Sequence, residues 1–454
     1  MGVLSSIDAW AAGPKKKTTV TTTTTTTTTS SALASAQQRL DALSGQVSNL
    51  ATQQNDTQSE VKKIEKEMTV ATPAEGAKPT TIGEHVGTVE NDVAAIRKDL
   101  SENLGIHVHG LVDAGYEHNF NQPINNVNVF RAWDEDGFQL TQGLIHIDRT
   151  KEGGVGFVTD LNFGQVANSI SSVTNYSNVS HVGGQWFDPT QYYLTYTVPV
   201  GTGLNIQGGR FVTLLGAEVI PTYSNQNYNE TRSFIFNNGE PLTHTGFRGN
   251  YVFNDYVAFT GGVNNGWDDP AAFNNGGPNY EGEIALNTLD KSLGLLLNGI
   301  WGPNLPGHSN SNLGAIDPVL TWKPTFLTGV TLAAEYLYAS ESGPVINGHS
   351  ASWQGAAGYF VYDWTDWEFA SRGEFFDDMD GARTNGTAQT LWELTQTVTY
   401  HVPEVTGLLA RLEYRHDNSN SQPFTNNNFV NPVTGLQRTW AGQDTLSGNM
   451  IYAF

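Results

Sequence analysis

Charged side chains at alternate positions are the residues of this chain whose types and spacing allow chemistry. Arg411, Glu413 and Arg415 stand two residues apart, and so do Arg372 and Glu374. In an extended strand, side chains two residues apart point to the same face. Such a face carries opposite charges that attract and steer ions. It does not pair a nucleophile with a general base, which acyl-transfer chemistry requires.

Catalytic and metal-binding motifs are missing from the sequence. The chain has no Cys, so thiolate nucleophiles, disulfides, iron–sulfur clusters and Cys-ligated zinc are excluded. It has no Gly-x-Ser-x-Gly motif, and its 11 His form no recognisable triad. The formal net charge of −22 at pH 7 argues against a nucleic-acid partner. We therefore expect no enzyme activity, no cofactor, no bound metal and no nucleic acid.

The elements that position the charges are β-strands. From Ile106 onward, apolar residues alternate with polar or small ones, and this period of two is typical of strands. We predict about 16 strands, an even number. Their ranges are 106–116, 138–149, 154–163, 191–198, 203–210, 243–253, 256–264, 280–289, 293–301, 315–322, 330–338, 352–362, 367–376, 390–400, 408–415 and 443–454.

The connections between these strands alternate in length. Short turns such as 199–202 and 363–365 alternate with long stretches rich in Asn, Gly, Ser and Pro, such as 164–188 and 416–441. The sequence has no apolar run long enough for a membrane-spanning helix. In lipid, every backbone polar group must be satisfied, so such a chain can cross only as a closed barrel. Residues 105–454 therefore predict an all-β transmembrane antiparallel up-and-down barrel.

The final strand carries a signal for membrane insertion. Apolar residues alternate up to Tyr452 and Phe454, which looks like the ending that the outer-membrane barrel-assembly machinery recognises. We expect the barrel to contact outer-membrane lipid and this machinery. Tryptophans near strand ends are expected to form aromatic girdles at the membrane interfaces. They are Trp301, Trp322, Trp353, Trp364, Trp367 and Trp392.

The first 104 residues have a different character. Residues 1–11 look like a truncated signal segment, and 12–32 form a Lys- and Thr-rich linker with almost no apolar side chains to bury. Residues 33–104 predict an α-helical coiled-coil stalk in two segments, broken near 71–80 by Pro73 and Pro79. The first seam consists of Leu40, Leu43, Val47, Leu50, Val61, Ile64 and Met68. The alternative is a lone amphipathic helix.

This seam predicts self-association, because a monomer would expose a continuous apolar stripe to water. The mixture of Leu, Val and Ile does not choose between a dimer and a trimer. Barrels of the predicted size often form trimers, so we expect a homotrimer. With an even number of strands, both barrel termini lie on the periplasmic side. The stalk is then periplasmic and extends towards the peptidoglycan.

A family resemblance appears in the barrel region. It rests on 209–213 (GRFVT), 216–218 (GAE), 227–233 (NYNETRS), 241–248 (PLTHTGFR) and 264–268 (NNGWD). These segments resemble the OmpL-like family of β-barrel porins. The resemblance implies an outer-membrane porin whose water-filled channel passes small hydrophilic solutes or ions, and it carries over no catalytic residue. The alternative is a structural envelope protein whose barrel anchors a periplasmic coiled-coil tether.

The alternation also selects the side chains that should face the interior. The candidate pore-lining residues are Arg248, Glu281, Glu283, Glu335, Glu368, Arg372, Arg411 and Arg415. Asp113, Glu374, Glu393 and Glu413 face inward by the same argument. Opposed charges across a water-filled interior would set its field and selectivity. The alternative is that they pair along the wall and mainly solvate the interior.

Segment 211–241 should be the third long loop. It carries Glu218, Glu230 and Arg232 among Tyr, Asn and Ser residues. In 16-stranded porins the third loop commonly folds into the lumen, so we expect this one to form a constriction. The alternative is a loop that stays outside or covers the mouth.

Overall fold

The computed structural model describes residues 104–123, 128–131, 136–149, 154–173, 186–224, 227–270, 277–305, 308, 311–430 and 437–454. The predicted signal segment, the linker and nearly all of the predicted coiled-coil stalk lie outside these residues. Among the described helices, none is long and apolar enough to cross a membrane.

Sixteen of the strands in the described part of the chain close into one antiparallel barrel. They are β1 His107–Asn119, β2 Gly137–Arg149, β3 Val155–Phe163, β4 Phe187–Val198, β5 Leu204–Val212, β6 Thr243–Val252, β7 Val257–Asn264, β8 Asn279–Asn287, β9 Leu293–Pro303, β10 Asn312–Trp322, β11 Val330–Ile346, β12 His349–Trp364, β13 Trp367–Asp378, β14 Gln389–His401, β15 Leu408–Ser419 and β18 Gly442–Ala453. The first and last strands, β1 and β18, pair with each other and close the barrel. The predicted fold class and strand number of the barrel are confirmed.

The alternation of residues turns the apolar side of each strand outwards. In β14, Trp392 and Leu394 are exposed, whereas Glu393 and Thr395 are buried. This is the reverse of a water-soluble protein, in which large apolar side chains are the buried ones. An apolar outer face with a polar interior is the pattern of a barrel surrounded by lipid.

The two ends of the barrel carry connections of different lengths. At one end β4 and β5 are joined by residues 199–203, and β12 and β13 by residues 365–366. At the other end, 213–242 join β5 to β6, and 420–441 join β15 to β18. This asymmetry agrees with the pattern in the sequence and is typical of transmembrane barrels.

One hairpin differs from the predicted strand ends. The sequence predicted that β11 ends at residue 338 and that β12 begins at residue 352. In the structure β11 continues to Ile346, and β12 begins at His349. Only Asn347 and Gly348 connect them, with φ angles of 50° and 82°. An Asn-Gly pair adopts positive φ readily and closes a two-residue hairpin. These two strands therefore project beyond their neighbours.

Three smaller elements lie within the long loops. Helix α1 spans Gln165–Val173, and a π-helical turn spans Ile235–Gly239. Strands β16, Phe424–Val430, and β17, Gln437–Trp440, form a separate two-stranded sheet. The sequence pattern gave no sign of these elements, because their flanking residues are polar and their runs are short.

Aromatic side chains surround both ends of the apolar outer face. Exposed members at the end with the long loops include Phe138, Phe187, Tyr280, Trp301 and Trp392. Those at the end with the short turns include Tyr256, Trp322, Phe326, Trp364 and Trp367. The prediction for Trp353 was wrong. Its ring is 1% exposed and lies inside, perpendicular to the ring of Trp267.

Candidate functional site

The connection from β5 to β6, residues 213–242, folds into the barrel, and we call it loop 3. Phe234 and Ile235 of loop 3 have no exposed surface. They belong to one buried cluster with Leu337 of β11 and Phe376 of β13. These wall residues point inward, so the loop lies within the lumen. Burial of two large apolar side chains holds it there.

A glycine allows loop 3 to approach the wall closely. A Cβ atom on Gly239 would lie 2.5 Å from Cδ2 of Leu337, which no real side chain tolerates. The carbonyl oxygen of Gly239 accepts a hydrogen bond of 2.8 Å from the indole nitrogen of Trp353. The π-helical turn is therefore seated directly on β11 and β12.

Arg372 on β13 is the centre of the polar contacts between wall and loop. Its guanidinium donates to Glu218 of loop 3 at 2.6 Å and to Glu393 of β14 at 2.7 Å. It also donates to the carbonyl oxygen of Thr231 at 2.7 Å. The side chain has no exposed surface, so its charge is neutralised by the two carboxylates.

Two further arginines on β15 bind the same loop. Arg411 donates to Glu230 at 3.3 Å and to the carbonyl oxygen of Asn227 at 2.8 Å. Arg415 donates to Asp417 on its own strand at 2.6 Å and to the carbonyl oxygen of Arg232 at 2.5 Å. Together with Arg372, they form what we call the arginine latch.

Wall carboxylates accept hydrogen bonds from the loop backbone. Glu413 accepts from the amides of Glu230 at 2.6 Å and Thr231 at 2.9 Å. Glu374 accepts from the amides of Phe234 and Ile235. These carboxylates accept hydrogen bonds from buried backbone N–H groups, which in a β-sheet would bond to carbonyl groups of the neighbouring strand. The loop is therefore fixed along its backbone as well as through side chains.

Glu218 and Glu230 of loop 3 differ in their affinity for protons. Burial raises the pKa of Glu230 well above its ordinary value, and the nearby charge of Asp113 raises it further. Burial acts in the same direction on Glu218, but Arg372 and Arg232 outweigh it and hold the pKa of Glu218 below its ordinary value. Arg232 itself donates to the carbonyl oxygens of Asn229 and Glu230, which stiffens the loop.

The remaining candidate residues lie on the inner face and form no hydrogen bond with the three arginines of the latch. Arg248 of β6 donates to both oxygens of Glu281 of β8 at 2.8 and 3.0 Å. Glu283 faces the lumen beside this pair and is partly exposed. Glu335 of β11 accepts from the hydroxyl of Tyr359 at 3.3 Å, and Glu368 of β13 is buried.

Sequence reasoning missed several partners of these residues. Arg210 and Asp188 form a buried ion pair at 3.2 Å, and Asp317 and Glu240 approach Glu335. The alternation placed Arg210 and Asp317 within strands. It gave no indication of which loop residue each would meet. Glu240 lies in a loop, where no periodicity selects it.

The last strand ends against the first. Gly110 and Phe454 exchange two backbone hydrogen bonds, of 2.8 and 2.9 Å. The rings of Tyr452 and Phe454 stack at 5.7 Å on the exposed outer face. The Phe454 ring covers the Cα of Gly110, where a side chain would collide with it. Both aromatic side chains therefore face outwards beside the junction of β1 and β18.

Comparison with known families agrees with this geometry. A family model described as "Putative beta-barrel porin-2, OmpL-like" matches residues 105–454. The chain belongs to this family. The resemblance seen in the sequence is thereby confirmed, and membership places the barrel in the bacterial outer membrane. The match begins where the alternation of strand residues begins.

Similar solved structures include outer-membrane proteins. OmpT of Vibrio cholerae, in a trimer form, is 8% identical with a TM-score of 0.48, over 77% of this chain and 99% of that one. The anion-selective porin of Comamonas acidovorans is 10% identical with a TM-score of 0.49, over 77% and 99%. The channel DcaP of Acinetobacter baumannii is 10% identical with a TM-score of 0.49, over 77% and 97%. The curated proteins searched include no match.

Proposed function

We propose that this porin forms a water-filled channel for passive diffusion of small hydrophilic solutes or ions. The observation that supports this proposal most directly is a closed barrel of sixteen strands whose inner face is polar and whose third loop lies in the lumen. A barrel of this strand number is wide enough to leave an aqueous passage. Nothing in the latch resembles a catalytic pair, since its arginines meet carboxylates and carbonyl oxygens.

Loop 3 forms the constriction, and the passage runs along the opposite wall. Where loop 3 lies against β13–β15, side chains such as Arg372 and Glu413 are almost completely buried. Several inward-facing polar residues on β4–β8 are instead partly exposed, namely Gln191, Gln207, Asn250 and Glu283. Partial exposure inside a barrel requires water beside these side chains.

The candidate charges divide into two roles under this proposal. Glu218, Glu230, Arg232, Arg372, Arg411 and Arg415 hold the constriction loop. Arg248, Glu281 and Glu283 face the passage and set its field, while Glu335 and Glu368 complete the acidic part of the wall. Most latch charges are paired, so they contribute less to the field than their number suggests.

Swelling of liposomes containing the purified full chain tests the channel. Sugars and amino acids below the size limit of the constriction should enter and swell the vesicles. The matched control is the same amount of heat-unfolded protein. A swelling rate equal to that of empty liposomes, with folded protein present, would contradict the proposal.

We also propose an assembly around the barrel. Tyr452 and Phe454 serve as the signal for the barrel-assembly machinery, which is supported by their outward exposure on the last strand. The chain forms a homotrimer, supported by the apolar heptad seam in residues 33–104. The stalk extends into the periplasm towards the peptidoglycan. This arrangement lets one chain serve as channel and envelope tether together.

A further inference from the structure

Three carboxylates converge where loop 3 crosses the wall on the side of β10 and β11. Glu240 comes from loop 3, Asp317 from β10 and Glu335 from β11. One oxygen of each lies within 4.8 Å of the others. Two oxygens that bind one calcium ion at about 2.4 Å can be at most about 4.8 Å apart. The spacing is therefore that of a shared cation.

These carboxylates lack the partners that buried charges require. Both oxygens of Glu240, Oδ1 of Asp317 and Oε1 of Glu335 accept no hydrogen bond, although all three side chains are at least 96% buried. No Arg, Lys or His of the described residues forms an ion pair with them. The adjacent Glu218, by contrast, is paired with Arg372 at 2.6 Å. Unpaired carboxylates at such burial are strongly unfavourable.

A neutral side chain provides an independent sign of a ligand. Asn298 of β9 stands opposite Asp317 in the strand register, on the same inner face. Its side chain is 5% exposed, its amide nitrogen faces the Asp317 carboxylate, and its amide oxygen has no hydrogen-bond partner. A buried amide oxygen without a partner costs free energy unless something else meets it. Its oxygen adds a neutral donor beside the three acids.

A glycine lets the loop backbone approach these carboxylates closely. Gly216 donates its backbone N–H to Asp317 and has a φ of 97°, which side-chain-bearing residues rarely adopt. A Cβ there would lie 2.4 Å from Oε2 of Glu240. On the other side, the Tyr359 hydroxyl donates to Oε2 of Glu335 at 3.3 Å and leaves Oε1 without a partner.

We propose that Glu240, Asp317, Glu335 and Asn298 bind a divalent cation, with calcium as the best fit. The unpartnered oxygens number five, all hard donors, whereas zinc prefers nitrogen and sulfur ligands. Calcium accepts six to eight oxygens in irregular geometry, so one or more waters complete the shell. The ion cross-links loop 3 to β10 and β11. The proposal goes beyond the channel function and does not depend on conduction.

Calcium binding to the purified full chain in detergent micelles is the direct test. After treatment with a chelator and its removal, the protein is titrated with CaCl₂ by calorimetry. We expect one ion per chain in the native protein. Asp317→Asn and Glu335→Gln should weaken binding by about tenfold or more. Glu341→Gln is the matched control, because Glu341 is a buried carboxylate on β11 that is hydrogen-bonded to Asn304.

Calcium binding is compared only among samples whose gel mobility changes on heating, because this change identifies a folded barrel. Absence of calcium uptake by the native chain, or equal uptake by all variants, would overturn the proposal. A second measurement covers a variant that fails to fold. Calcium should raise the thermal midpoint of the chelator-treated native chain and of Glu341→Gln. If it raises neither, protons rather than a cation neutralise the cluster, and the proposal is wrong.

Discussion

Individual charged residues decide whether loop 3 stays in the lumen. Arg372, Arg411 and Arg415 reach from the wall to the loop, and every one of them meets a carboxylate. Buried ion pairs contribute little net stability relative to apolar packing, but removal of one partner leaves an uncompensated charge. The latch therefore acts by specifying one position of the loop.

The first prediction concerns Arg372. Arg372→Gln leaves Glu218 and Glu393 without their shared cation, so we expect the free energy of unfolding to fall by about 3–5 kcal/mol. Adding Glu218→Gln should recover part of this loss, because one stranded charge disappears. Urea unfolding followed by Trp fluorescence measures both variants, with Lys291→Gln on an exposed turn as control. Equal stability of Arg372→Gln and the native chain would contradict the latch.

The second prediction concerns the pH dependence of the docked loop. Burial and Asp113 raise the pKa of Glu230, so the folded state holds a proton that the unfolded state has released. This contribution to stability is present at low pH and is lost as pH rises through the folded pKa. Stability should therefore decrease as pH rises above the ordinary pKa of a glutamate. Glu230→Gln should flatten this dependence, and an unchanged slope would contradict the assignment.

The sequence predicted the face of these residues but not their partners. Alternation along a strand fixes which side chains point inward, so Arg372, Glu413 and Arg415 were identifiable without a structure. Their pairing depends on the path of loop 3, which no periodicity encodes. Trp353 shows the same limit. Its aromatic ring suggested a place in a girdle, but Trp353 lies on the inward-facing side of its strand and contacts Trp267.

At the scale of elements, loop 3 combines apolar and polar anchoring. Phe234 and Ile235 fill a pocket against β11 and β13, and the latch fixes the segment around Thr231. Strands were predictable because lipid on one side and water on the other impose a strict alternation. The extended β11–β12 hairpin was not, because its tip projects beyond the neighbouring strands. Helix α1 was not either, because Val166 and Ile170 pack against loop 3 rather than against lipid.

The third prediction concerns this apolar anchor. Phe234→Ala removes a fully buried ring, so we expect the docked position of loop 3 to lose about 3–5 kcal/mol. The loop should then become susceptible to protease within residues 213–242 while the barrel stays folded. Phe326→Ala is the control, because that ring is 73% exposed on a short turn. Identical cleavage patterns in the two variants would argue against loop docking through Phe234.

At the scale of the whole molecule, the fourth prediction concerns assembly. The full chain should self-associate, because the seam from Leu40 to Met68 otherwise exposes an apolar stripe, and it should form a homotrimer, because barrels of this size often do. Native mass spectrometry should compare it with a chain that begins at Gly105. Weaker association of the shorter chain would assign the contact to the stalk. A monomeric full chain would contradict the proposed assembly, and an unchanged trimer would move the contact to the barrel.

The central claim is that the barrel conducts although loop 3 occupies part of its lumen. Single-channel recording of the purified full chain in planar lipid bilayers tests this most directly. We expect discrete conductance steps that increase with salt concentration, because the partly exposed polar side chains on β4–β8 leave an aqueous path. Folded protein that inserts without any conductance step would show that loop 3 closes the barrel, and it would contradict this account.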